Sequence, residues 1–332
     1  MSIESEITRL QGAKADIKTA IEAKGVTVPS NALLDTYDDY IAQISGGSSD
    51  DYFAPQTTAT NATPLTTLLK YPAVSTPNVT QFSFSGCYAI ESIDTSGFAN
   101  ALLNNMYNMF SSCEKLEEID LSNFTTTNVT SISSMFYGCK KLKSVDMSTF
   151  SFGNVTTMNG VFNGCNEIET IVFPSSINDN KNTSMENMFQ NCYALKNVNL
   201  EDFNGTICTS MRNMFYECHE IVNVDMSGIG QTTCNQTRQM FRSCPKLKTV
   251  DLSSFSNSAS VNVQYMFANC DSLERVDLRS FNFASTTNLS SMFGGQGVVP
   301  ANCLVIVADN TQKSTLSNAI SWLTNIKTVA EL

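Results

Sequence analysis

Histidine occurs once in the 332 residues, at His219, and tryptophan once, at Trp322. A single imidazole excludes most histidine-based acid–base catalysis and most zinc sites. Charged side chains make up only 15% of the sequence, and Asp plus Glu (31) outnumber Lys plus Arg (20). The resulting net charge of −11 would repel a phosphate backbone, which argues against nucleic acid as a partner. Long apolar runs are missing too. The longest, Cys303 to Ala308, is far short of a membrane span. The opening MSIESEITRLQG has neither a basic stretch nor an apolar core, so no secretory leader is expected as written. There is no CxxC pair, no Gly-rich phosphate loop, no G-x-S-x-G and no H-E-x-x-H. Neither an enzyme nor a cofactor is expected.

What the chain has instead is a period. Phe84, Phe110, Phe136, Phe162, Phe189, Phe215, Phe241, Phe267 and Phe293 recur every 26 residues, with one step of 27 between Phe162 and Phe189. Cysteine follows three residues later at Cys87, Cys113, Cys139, Cys165, Cys192, Cys218, Cys244 and Cys270. Leu or Ile comes three after the cysteine, a β-branched residue six after, and another apolar residue eight after in all but the first unit. The unit reads M-F-x-x-C-x-x-L-x-x-V-D-L-S-x-F. Fixed periods of this length signify a solenoid, because no single unit can bury its apolar face alone. The L-x-x-V-x-L spacing predicts a short inward-facing strand around V-D-L. Apolar residues four before the phenylalanine (Met106, Ile132, Met158, Met185, Met211) predict a helical return segment.

Two columns bear on function. Eight cysteines in one slot read as buried thiols acting as small hydrophobes. Cys208 and Cys234, in adjacent units, are the one pair to test for a disulfide. The slot seven after the cysteine holds Asp94, Asp120, Asp146, Val172, Asn199, Asp225, Asp251 and Asp277. Side chains there should project away from the core. Stacked carboxylates repel, so hydrogen bonds from turn amides and hydroxyls (Ser122, Ser148, Ser227, Ser253), helped by Lys143, Lys196 and Lys248, are expected to offset the cost. That reading is preferred to a cation row, since calcium needs converging oxygens. The candidate binding face is Glu118, Asp120, Ser144, Asp146, Asn197, Asn199, Asn223, Asp225, Thr249, Asp251, Arg275 and Asp277. His219, in a slot open to many polar residue types, reads as plain surface.

The 26-residue unit resembles the leucine-rich repeats of BspA-type bacterial surface proteins, over residues 81–297. The resemblance extends to the tail, CLVIVADNTQKSTLSNAISWLTNIKTVAEL, which resembles the strand–helix–strand cap of such proteins and makes 298–332 the C-terminal cap. It implies an α/β leucine-rich-repeat solenoid and leaves the partner open.

Residues 1–46 are of a different kind. Ile3, Ile7, Leu10, Ile17 and Ile21 form a heptad seam, and isoleucine at both seam positions favours trimers or tetramers. Leu34, Tyr37 and Ile41 belong to a second apolar face, so a helical hairpin is expected, either capping the solenoid or serving to oligomerise or dock it. Gly46-Gly47-Ser48-Ser49 reads as a hinge, and 47–80 as hinge plus first capping layer. The segment ITRLQGAKADIKTAIEAKGVTVP, with YDDYIAQI, is similar to N-terminal segments of tail and fibre proteins of gut phages. This resemblance implies a virion protein assembled in the host cytoplasm. Residues 1–46 would bind other virion proteins, and the repeat face a host cell-surface protein or glycan. The alternatives are a bacterial cell-surface adhesin and a virion decoration without receptor activity.

Overall fold

The fold was taken from a computed structural model, which describes residues 69–70, 83–88, 90–95, 103–175, 177, 181, 183–200, 203, 208–226, 228–229, 231–232, 234–257, 261–295 and 299–332. Residues 1–46, with the proposed seam and docking positions Ile3, Ile7, Leu10, Ile17, Ile21, Leu34, Tyr37 and Ile41, lie outside them.

The described chain is a leucine-rich-repeat solenoid of parallel rungs. Most V-D-L segments form a strand of two or three residues, because alternation places the central β-branched residue inward and its neighbours outward; Ile119–Leu121 and Val198–Leu200 form none. Ser144–Asp146, Thr170–Val172 and Asn223–Asp225 each show this exposed–buried–exposed pattern. Asn223–Asp225, Thr249–Asp251, Arg275–Asp277, Leu304–Val307 and Ile326–Thr328 lie side by side in one parallel sheet. Its register stacks Val224, Val250, Val276, Val305 and Ile326. Ser144–Asp146 pairs with Thr170–Val172, and Leu69–Lys70 with Ile93–Asp94.

Inside, the nine phenylalanines form one stack from Phe84 to Phe293. Successive ring centroids are 5.1–5.9 Å apart, with interplanar angles of 1–25°. Burying such a ring contributes about 1.5–3 kcal/mol, and each aromatic contact adds about 0.5–1.5 kcal/mol. The 27-residue step leaves the stack intact: Phe162 and Phe189 are parallel to 3°. Phe173, at the start of the long rung, packs edge-on against Phe203 at 4.8 Å.

The return segment is not the predicted helix. It is a run of turns whose amides alternate between two destinations. Phe110 N–H donates to Met135 C=O of the next rung and Ser112 N–H to Tyr137 C=O, while Ser111 N–H returns to Asn108 C=O of its own rung. The same pattern recurs through Phe267, whose amide donates to Met292 C=O. It requires left-handed backbone at two positions per rung, filled by Asn108 and Ser112, Ser134 and Gly138, Gly160 and Gly164, Asn187 and Asn191. Helical apolar spacing survives because residues four apart share a side in either conformation.

Cysteines line the turn. Each thiol from Cys113 to Cys270 donates to the phenylalanine carbonyl of the preceding rung, as in Cys139 to Phe110 and Cys244 to Phe215, both 3.0 Å. Burial pushes Cys139 up to about 12, so these thiols are inert donors rather than nucleophiles. No disulfide joins Cys208 and Cys234; their thiols donate to Ser210 C=O and Gln236 C=O.

The C-terminal cap is the expected strand, helix and strand. Asp309 caps the helix Asn310–Ala319 by accepting from the Thr311 and Gln312 amides. Ile326–Thr328 then pairs in parallel with Leu304–Val307.

Candidate interaction surface

Alternation along each rung sets which side chains reach solvent, although Glu118, Asp120, Asn197 and Asn199, expected on strands, lie outside any strand. Glu118, Asp120, Ser144, Asp146, Asn197, Asn199, Asn223, Asp225 and Arg275 are exposed, and Thr249 and Asp251 are half-buried. Asp277 departs from expectation. Its side chain is only 2% exposed, covered by Arg275 and by Arg279, whose Nε donates to Oδ1 at 2.9 Å. Two guanidiniums from its own strand and turn fold over the carboxylate and take it off the surface.

The remaining aspartates are fixed as the repulsion argument required. Asp120, Asp146 and Asp251 each accept, at 2.8 Å, the amide of the serine two residues on: Ser122, Ser148 and Ser253. Bonds from the Ser148 hydroxyl and then its amide hold the Asp146 carboxyl below the usual carboxylate range. Ser227 lies outside the described residues. The lysines do not assist. Lys143 pairs with Glu117, Lys196 with Glu169 and Lys248 with Glu274, each one rung away. Lys140–Glu114, Lys141–Glu167 and Lys246–Glu220 behave alike. The strips beside the strand face thus neutralise themselves, and the aspartates keep their charge. The row is interrupted by Val172, 49% exposed and in register with Asp146. Among the described residues no three His, Cys, Asp or Glu side chains converge as a metal site would need.

Sequence reading missed a second cluster, on the return turns of the C-terminal rungs. His219 stacks on Tyr193, with centroids 4.8 Å apart and planes within 10°. Its Nε2 lies 3.4 Å from Glu217 Oε2. Glu217 also bonds the Tyr216 phenol, which is raised from its ordinary value first by burial and then by that bond. The Arg242 guanidinium sits between the Tyr216 and Tyr265 rings, at 5.8 and 5.5 Å. The legible signal was residue type. Glu217, Gln239 and Tyr265 occupy left-handed positions that other rungs give to Asn, Ser or Gly.

Comparison with known proteins bears on the repeat. No curated protein matches the sequence. Among solved structures, the chain is similar to that in a TLR13–ssRNA13 complex (TM-score 0.34, 15% identity), which covers 74% of this chain, whereas this chain spans 41% of that one. It is also similar to the pneumococcal vaccine antigen PcpA (TM-score 0.24, 13% identity, 78% and 82% covered). A third is the functional domain of InlJ from Listeria monocytogenes, described as including a cysteine ladder (TM-score 0.20, 10% identity, 72% and 51% covered). In sequence, the family model described as "Mycoplasma protein of unknown function, DUF285" matches residues 75–176, 104–229 and 183–303. These overlapping matches take in the Phe–Cys repeat from its first unit to Cys303, and the chain belongs to the DUF285 family.

Proposed function

We propose that the protein is a non-enzymatic recognition protein whose strand face binds a protein or glycan on a cell surface. The observation that carries this reading is the contrast across each rung. Lysines and glutamates on the flanking strips cancel in pairs, whereas Asp120, Asp146 and Asp251 stay charged and held in place by backbone amides. A rigid, repeated acidic face, countered by Arg275 and Arg279 at its Asp251–Asp277 end, suits a partner that presents amines or guanidiniums.

Two carriers fit. As a virion protein, the chain would dock through residues 1–46, as a trimer, and meet the host with its repeats. That version rests on the N-terminal resemblance alone, since the family match begins at residue 75. As a bacterial surface adhesin of BspA type, it rests on the repeat. Full-length protein in which Asp120, Asp146, Asn197, Asn223 and Asp225 are changed to alanine should lose binding to target cells. Undiminished binding would remove the strand face from the proposal. Mass spectrometry of salt-washed phage particles beside envelope fractions of the source cell separates the carriers.

A further inference from the structure

The arginines of the return turns do not share the economy of the rest of the surface. Six lysines of the strand-side strips meet a glutamate while, of the described residues, Lys115 meets none, and Arg275 and Arg279 both meet Asp277. Among the described residues, Arg212, Arg238 and Arg242 form no ion pair, and the Nε atoms of Arg238 and Arg242 are buried without any hydrogen-bond partner. In a chain of net charge −11, Arg212 on one rung and Arg238 with Arg242 on the next put three unpaired guanidiniums beside two carboxylates, Glu186 in the slot of Arg212 one rung before and Glu217 against Tyr216 and His219. Arg212 and Arg238 hold the same slot of consecutive rungs, three residues before Phe215 and Phe241.

The surroundings are prepared for a planar, polar ligand. Tyr216 and Tyr265 hold Arg242 between them, and Tyr193 holds His219. Glu217, Gln239 and Tyr265 adopt left-handed backbone, which costs a side-chain-bearing residue about 1–2 kcal/mol where Asn or Gly would cost less. The left-handed backbone itself recurs along the solenoid from Asn108 to Asn269, so what sets these rungs apart is the residue type placed there.

We propose that Arg212, Arg238 and Arg242, with Tyr216, Tyr265 and His219, form a binding site for a carboxylate-bearing polysaccharide, separate from the acidic strand face. Guanidinium edges match carboxylates in a two-pronged geometry. A uronate residue in an extended chain is about as long as a rung is high, about 4.8 Å, so carboxylates on successive sugars would meet guanidiniums on successive rungs.

The test is affinity electrophoresis and titration calorimetry of the full chain with polygalacturonate, beside its methyl ester, neutral dextran and polyglutamate. Expected are retardation by polygalacturonate alone and about a tenfold or greater affinity loss in the R238Q/R242Q variant, since a charge-assisted bond contributes about 1.5–3 kcal/mol. Asp146→Asn and Asp251→Asn, on the strand face, should bind like the parent, which separates this site from the recognition face proposed above. Thermal unfolding matched to the parent's shows that the double variant is folded. If it is not, Arg212→Gln alone, at an exposed position, should still weaken binding. Absent retardation, equal retardation by the methyl ester, or an unaffected variant would overturn the proposal. Retardation by polyglutamate equal to that by polygalacturonate would overturn the saccharide and assign an acidic protein instead.

Discussion

The phenylalanine column and the aspartate column share a period and differ in everything that enforces it. All nine phenylalanine positions are filled and stacked, including across the 27-residue step. The aspartate column holds Val172 and Asn199 in two places, and in a third folds Asp277 beneath two arginines. A core ring touches its neighbours on both sides, so a gap in the stack costs two contacts and leaves a cavity. A surface carboxylate finds its partner two residues along its own chain, so its slot can change without disturbing the next rung. Periodicity in this molecule therefore has two causes, continuous packing inside and repeated local chemistry outside.

The largest break in that comparison should come from Phe215→Ala, which removes a ring stacked between Phe189 and Phe241. A loss of about 3–5 kcal/mol in denaturant unfolding is expected, as for other buried aromatic truncations. Parent-like unfolding would mean that the stack is not the core. Asp277→Ala should follow at about 1–3 kcal/mol, because among the described side chains of its column it alone is a buried aspartate, and it takes charged bonds from two arginines. Asp146→Ala sharpens the contrast through pH. The folded carboxyl is depressed, so its stabilisation is complete above the ordinary carboxylate value and is lost as pH falls through the folded one. Parent and variant should accordingly differ near neutrality and converge in acid, and a difference that grows in acid would reverse the sign. Smallest of all, Lys143→Met should leave the thermal midpoint unchanged, because its pair with Glu117 is solvent-exposed and screened.

How much of this was legible follows the same division. The inward slots could be read because hydrophobic spacing is what defines them, and Phe110, Cys113, Leu116 and Val145 are all buried. The serine amides that hold Asp120 and Asp146 were legible because the partner lies two residues away. The return segment misled because the spacing of Met106 and Phe110 fits a helix and a turn equally well. What decides is the amide of Phe110, which leaves its own rung for Met135, and no periodicity encodes that choice. The Asn, Ser and Gly residues two positions to either side of Phe110, Phe136, Phe162 and Phe189 do hint at it, since left-handed backbone favours them. The cluster around Arg242 was illegible for another reason. It joins Tyr193, Tyr216, His219 and Tyr265 from three rungs and three slots, and only Tyr193 and His219 share one, so no column lights up.

The alternating amides of the return turns have a genealogical consequence. Every backbone bond leaving a rung there reaches only the adjacent rung, 24 to 27 residues along the chain. A whole unit copied or excised by recombination would therefore meet the same donors and acceptors on either side. Lengthening or shortening in steps of one unit asks for no compensating change elsewhere, while the C-terminal strand–helix–strand, which closes the last turn, cannot be duplicated in the same way. Lineages descended from such a gene should vary in unit number far more freely than in their ends.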